Sequence, residues 1–279
     1  MIKRICIGAA LVAAGAIVGW AGSAASAPSP MPAQVAVPSG RVLDLSHPYN
    51  ERTIFWPTAK TFTLEKVAEG ETEAGYFYAA NNFSAAEHGG THLDAPVHFA
   101  RGGDTAEKVS LRRLMGRAEV VDVSRAARED RDYRITRADF ITHERRHGRI
   151  PRRAIVLLRT GFGAFWPDRE RYLGTAERGA QAVPKLHFPG LHPNGARWLV
   201  RERDVRAVGL DTASIDPGQS TLFESHRVLA AAGVPISENV ANLQRVPTEG
   251  AVVIALPMKI EGGSGGPLRI MAIVRAAQG

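Results

Sequence analysis

From Arg41 onward the chain repeats short apolar stretches of strand length, separated by Gly, Pro, Asp and Ser. Strands are predicted over Arg41–Ser46, Thr61–Val67, Tyr76–Phe83, Ala118–Val123, Ala154–Arg159, Val205–Leu210, Ala251–Leu256 and Leu268–Val274. Helical signals are fewer. Thr136 with Asp139 has the spacing of a capping box and opens a helix toward His147, with Gly148 and Pro151 at its end. Asn194 is the expected cap of a helix over Gly195–Arg203, and Ser220 that of Thr221–Ala232, stopped by Gly233. Strands and helices interleave, so the predicted class is α/β: a single domain over 41–279 with a mixed β-sheet and flanking helices.

The start of the chain has a different pattern. Lys3 and Arg4 precede an apolar, Ala/Gly-rich run from Ile5 to Trp20, and small residues follow through Ala27. This is the order of a secretory signal peptide, here 1–25 with cleavage expected after Ala25. The run is short of the ~20 apolar residues of a membrane span, so no stable membrane insertion is expected after processing. Residues 26–40 hold Pro28, Pro30, Pro32 and Pro38 and read as an extended linker. The expected location is therefore periplasmic or extracellular.

Composition removes several function classes. Of 279 residues, 44% are hydrophobic and 23% charged, which excludes a disordered or fibrous chain. The single cysteine, Cys6, excludes a disulfide framework, a Cys-rich zinc finger and an iron–sulfur site. The net charge of +7 raises nucleic acid as a partner. However, the arginines between Arg112 and Arg153 are spread among Glu119, Asp122, Glu129, Asp130, Asp132, Asp139 and Glu144, and no nucleic-acid motif accompanies them. They read as a solvated face, and no nucleic-acid partner is expected.

The chemistry is concentrated in Glu87-His88-Gly89-Gly90-Thr91-His92-Leu93-Asp94-Ala95-Pro96-Val97-His98-Phe99. Gly89-Gly90 and Pro96 disfavour a helix. In an extended segment His92 and Asp94 share a face, and the glycines let His88 fold back to join them. Imidazole nitrogen and carboxylate oxygen form a ligand set for Zn²⁺, Mn²⁺ or Fe²⁺. A second segment carries His226, on a predicted helix, and Glu238, at the end of a short strand. By themselves these two read equally well as a helix contact and a surface acid.

His88 to Phe99 resembles the His-x-Gly-Thr-His-x-Asp-x-Pro-x-His-Phe signature of the metal-dependent cyclase family, whose members include bacterial kynurenine formamidases and isatin hydrolases. Gly209–Asp216 and Glu238-Asn239 with Ala241-Asn242-Leu243 are similar to its later blocks. His187-Phe188-Pro189-Gly190 and the stretch from Pro257 to Pro267 resemble the isatin hydrolases more closely. The resemblance implies a compact swivelling β/β/α fold and a homodimer or higher homo-oligomer. It implies His88, His92 and Asp94 as ligands of a first metal, Asp94 and Glu238 as bridging ligands, and His226 as a ligand of a second. His98 corresponds to the proton-transfer residue and Trp56 to an aromatic substrate contact. The cofactor implied is one or two Zn²⁺ or Mn²⁺ ions. The activity implied is hydrolysis of an amide C–N bond in a small aryl formamide or cyclic aryl amide. The alternatives are a cyclase, dehydratase or lactone hydrolase using the same site, or a secreted non-catalytic metal-binding protein.

Gly262-Gly263-Ser264-Gly265-Gly266 also satisfies Gly-x-Ser-x-Gly, but no Asp or His follows Ser264. A serine-hydrolase elbow needs both later in the chain, so a flexible loop near the pocket is the expectation. Asp211 and Asp216 read either as groups orienting metal ligands or as loop formers beside Pro217-Gly218.

Overall fold

Ile155-Val156-Leu157-Leu158 and Ala207–Leu210 are buried along their whole length, as strands covered on both faces must be. They lie at the centre of the computed structural model, which describes residues 39–275. The signal peptide predicted over 1–25, with Cys6, and all but the end of the predicted linker lie outside the described residues.

The elements in chain order are β1 (Gly40–Asp44), β2 (Thr63–Glu71), β3 (Phe77–Ser84), β4 (His92–Asp94), α1 (Leu111–Leu114), β5 (Met115–Asp122), α2 (Ser124–Glu129), β6 (Arg134–Ile135), α3 (Arg137–His147), β7 (Ile155–Arg159), α4 (Arg169–Leu173), β8 (Gly190–Leu191), α5 (Pro193–Trp198), β9 (Ala207–Leu210), α6 (Glu224–Ala231), β10 (Ile236–Glu238), β11 (Ala251–Pro257) and β12 (Gly265–Arg275). The main sheet runs β1-β12-β11-β5-β7-β9-β10-β4. β5, β7, β9 and β10 are parallel; the other neighbours are antiparallel. β4 also pairs with the start of β12, through Gly265↔Asp94 and Pro267↔His92. That pairing closes seven strands into a barrel-like ring, with β1 appended along the far half of β12.

Residues alternate along β5, β7 and β9 between two cores. Val120, Leu157, Val253 and Ile270 belong to one core, with Leu93. Val121, Val156 and Leu158 face the other, where α3, α5 and α6 contribute Phe140, Trp198 and Leu229. Phe140 and Trp198 stack at 5.3 Å.

Local signals explain most boundaries. Thr136 and Asp139 form the predicted capping box of α3, and Gly148 ends the helix at φ +85. Two predicted caps need correction. α5 starts at Pro193, whose ring presets the first turn, and His192 rather than Asn194 supplies the cap; the helix widens into a π turn over Leu199–Arg203. Ser220 does not cap α6, because Phe223 takes a left-handed conformation (φ +48) and delays the start to Glu224. The Ser220 hydroxyl accepts the Phe223 amide instead.

β2 and β3 pair only with each other and form a hairpin carrying exposed Leu64, Val67, Phe77, Tyr78 and Phe83. Its two feet are closed by the Ala86 amide donating to the Lys60 carbonyl.

Candidate metal centre

The site is built at the seam of the ring. Gly89 and Gly90 carry the chain from the hairpin into β4. Gly90 sits at φ +58, and a Cβ on Gly89 would fall 2.0 Å from the Phe55 ring. The Thr91 hydroxyl donates to the Asn239 carbonyl at 2.8 Å and tethers β4 to the end of β10. On this three-residue strand Leu93 enters the core, while His92 and Asp94 line one pocket.

β10 lies beside β4 and places Glu238 opposite His92. α6 brings in His226. His88 Nδ1 lies 2.7 Å from Asp94 Oδ1, and His92 Nε2 lies 3.2 Å from the same oxygen. His226 Nε2 lies 3.2 Å from Asp94 Oδ2 and 3.1 Å from Glu238 Oε1. Two ligand groups result, His88/His92/Asp94 and Asp94/His226/Glu238, each with its donor atoms within 4.8 Å of one another and with Asp94 in common.

The tautomers support a cation. His92 Nδ1 donates to the Gly90 carbonyl at 3.0 Å, and His226 Nδ1 donates to Asp216 Oδ2 at 2.7 Å. Each ring then turns its other nitrogen toward carboxylate oxygens. Electron pairs facing one another in a buried site require positive charge. Burial opposes charge on His226, yet bonds to Asp216, Asp94 and Glu238 outweigh it and raise its pKa well above the ordinary value. His92 is raised to about 8 against the same burial, mainly by Asp94. Burial acts against ionised Asp94 too, but its bonds to His226, His88 and His92 hold its pKa well down. Glu238 is raised by burial and by the charge of Asp94. These buried residues compete for protons that one or two divalent cations would replace, and the His/carboxylate set fits Zn²⁺ or Mn²⁺.

His98 stacks on His88 with ring centroids 3.9 Å apart. Burial of the ring lowers its pKa, while an exposed edge keeps contact with solvent. All seven residues singled out from the sequence, Trp56 included, line one cavity of about 300 Å³, with Phe55, Phe99, Ala213 and Phe223 forming apolar wall. A larger cleft of about 590 Å³ between α2 and α3 is lined by side chains of both charges and shares none of these residues.

Asp216 and Asp211 now have distinct roles. Asp216 accepts the Ser225 and His226 amides as well as the His226 ring, so it both caps α6 and orients the imidazole. Asp211 accepts the Thr160 and Gly161 amides and shapes that turn. Asn239 holds the Gly90 carbonyl and is itself held by Tyr172. Sequence reasoning passed over the part Tyr172 plays, because a lone buried tyrosine carries no local signal. His187 pairs with Asp132 at 2.7 Å and is not among the pocket residues.

Residues 43–217 match the Cyclase family. The isatin hydrolase of Roseibium aggregatum is 31% identical over 223 residues, covering 77% of this chain and 81% of the relative. The kynurenine formamidase of Salinibacter ruber is 30% identical over 244 residues, covering 85% and 98%. Among solved structures, isatin hydrolase A from Ralstonia solanacearum superposes with a TM-score of 0.75 at 33% identity, covering 84% of this chain and 92% of that one.

Proposed function

The chain belongs to the Cyclase family, and on that premise we propose that it is a metal-dependent hydrolase cleaving the amide C–N bond of an aryl formamide or a cyclic aryl amide. The observation that carries this reading is the meeting of three imidazoles and two carboxylates from separate segments in an aromatic-walled pocket. His88, His92 and Asp94 would hold one ion; Asp94, His226 and Glu238 would hold a second. A bound divalent cation supplies Lewis-acid polarisation of a carbonyl and lowers the pKa of water from ~15.7 toward ~7.

The protein's own groups do the rest. His98, kept neutral by its depressed pKa, can accept a proton from water and return it to the leaving nitrogen. Its stacking on His88 fixes the ring plane next to the ligand cluster. Trp56, Phe99 and Phe223 pack edge-to-face or tilted against one another and offer a flat apolar berth to an aryl ring. A bulk aqueous substrate would gain nothing from such walls; an aromatic amide would.

Three further readings belong to the proposal. The metal is zinc or manganese, ions that imidazole and carboxylate donors suit. The protein is exported to the periplasm or beyond, on the strength of the leader-like 1–25 segment. It assembles with copies of itself as a homodimer or higher homo-oligomer. The hairpin supports this, since an isolated two-stranded hairpin is marginal in water and this one exposes Leu64, Phe77, Tyr78 and Phe83. Sedimentation of the purified protein checks the last point.

The function is tested by metal analysis of purified protein beside a panel of isatin, N-formylkynurenine, a lactam and a lactone, before and after chelation. Amide turnover that disappears with chelator and returns with Zn²⁺ or Mn²⁺ is expected. Full activity in metal-free protein refutes the reading, and turnover of the lactone alone reassigns the bond.

A further inference from the structure

The Gly-rich loop that satisfies Gly-x-Ser-x-Gly lies against the ligand strand. Gly265 pairs with Asp94, and the Ala95 amide donates to the Ser264 carbonyl at 2.9 Å. This closeness dictates the glycines: a Cβ on Gly265 would sit 2.4 Å from the Leu93 carbonyl oxygen and 2.6 Å from the His88 ring, and one on Gly263 would sit 2.9 Å from Glu87 Oε1. Between them the Ser264 hydroxyl lies 2.8 Å from His88 Nε2 and 2.5 Å from Glu87 Oε2, the oxygen that also accepts the Ser264 amide at 3.0 Å.

Counting protons fixes the direction of this chain. The Glu87 carboxylate can only accept. The hydroxyl of Ser264 has one proton and gives it to Glu87, so its oxygen is left to accept from His88 Nε2–H. The neutral ring then has a bare Nδ1, and that nitrogen is the one 2.7 Å from Asp94 Oδ1. We infer that Glu87 and Ser264 are positioning residues that hold His88 as its Nε2–H tautomer and so make Nδ1 the metal-binding atom. The Asp94–His88–Ser264 alignment imitates an acid–base–nucleophile triad, but its polarity is reversed: the imidazole donates to the hydroxyl and takes nothing from it. His226 is oriented by Asp216 and His92 by the Gly90 carbonyl, so each of the three imidazoles has an outer acceptor, and the loop supplies the one for His88.

The inference rests on the metal-centre reading above. The test measures Zn²⁺ affinity of the full-length protein by competition with a chromogenic chelator, for wild type, Glu87→Gln, Ser264→Ala and Ser264→Thr. Long-range proton–nitrogen NMR of the zinc-loaded wild type reports the His88 tautomer. Glu87→Gln and Ser264→Ala are expected to lose ~10–100-fold in affinity, the usual effect of removing an outer partner of a metal-bound histidine. Ser264→Thr keeps the hydroxyl and should restore most of that loss, and the NMR should show the proton on Nε2. Equal affinity across the series, or a proton on Nδ1 in the zinc-loaded protein, overturns the inference while leaving the metal centre standing. A wild type that binds no zinc brings down both.

Discussion

Asp216→Asn separates orientation of the proposed metal ligand His226 from stability of the helix that carries it. Asp216 Oδ2 accepts both the His226 amide at 3.1 Å and His226 Nδ1 at 2.7 Å, and Oδ1 accepts the Ser225 amide at 2.9 Å. Asparagine keeps one oxygen for the helix amides, but its other terminus donates and cannot accept the imidazole proton. The substituted ring loses the contact that keeps Nε2 bare and aimed at Asp94 and Glu238. A loss of ~10–100-fold in metal affinity is expected, which is ~1.4–2.7 kcal/mol. The loss of capping should cost less, ~1 kcal/mol or below, or a fall in Tm of ~2–4 °C for a protein of this size. The assay pairs chelator-competition titration with thermal unfolding of the metal-free protein. Metal affinity within twofold of wild type refutes the orientation argument. A collapse of Tm with affinity per folded molecule preserved would assign Asp216 to the helix alone.

Three other outcomes follow from the same geometry. His98→Ala should keep its metals and lose ~10²–10⁴-fold in kcat; unchanged turnover, with metal content checked by elemental analysis, removes His98 from proton transfer. Glu144 accepts from Arg203 Nε and Nη2 at 2.6 Å each, with Arg203 only 5% exposed, so Glu144→Gln should cost about 3 kcal/mol by leaving a buried cation short of its partner; the urea midpoint should fall with unchanged slope. Burial, with Glu249 adding and Arg117 opposing, raises Glu119 to about 7 from the reference 4.5. The folded state then holds that proton more tightly than the unfolded chain, so stability should decline as pH rises from about 4.5 to about 7 and level off above it. Glu119→Gln should flatten that slope in pH-stepped urea titrations; an unchanged slope assigns it to other groups.

The parts of the site that could be read in the sequence were local. His92 and Asp94 share a face because they are two apart on a strand, and Gly89-Gly90 announces the turn that returns His88. The pairing of His226 and Glu238 with this cluster depends on β10 lying beside β4, a contact across more than a hundred residues, and only the family resemblance pointed to it. The capping box at Thr136 was legible for the same local reason. The caps at Asn194 and Ser220 misled because neighbouring residues reset the helix starts: Pro193 presets an earlier one, and the left-handed turn at Phe223 delays α6 to Glu224, where Asp216 rather than Ser220 accepts the first-turn amides. Closure of the ring was invisible, because β4 and β10 are three residues each and carry no periodicity to read.

That closure gives the short β4 an unusual standing. A strand of three residues at an open edge would fray, but β4 is hydrogen-bonded to β10 on one side and β12 on the other. The keystone of the circle and the bearer of His92 and Asp94 are the same three residues, so the circle cannot spring open without scattering the proposed metal ligands. Amide exchange at β4 should therefore be as slow as in the protein's deepest strands, and metal occupancy should act as a lock on the whole circumference.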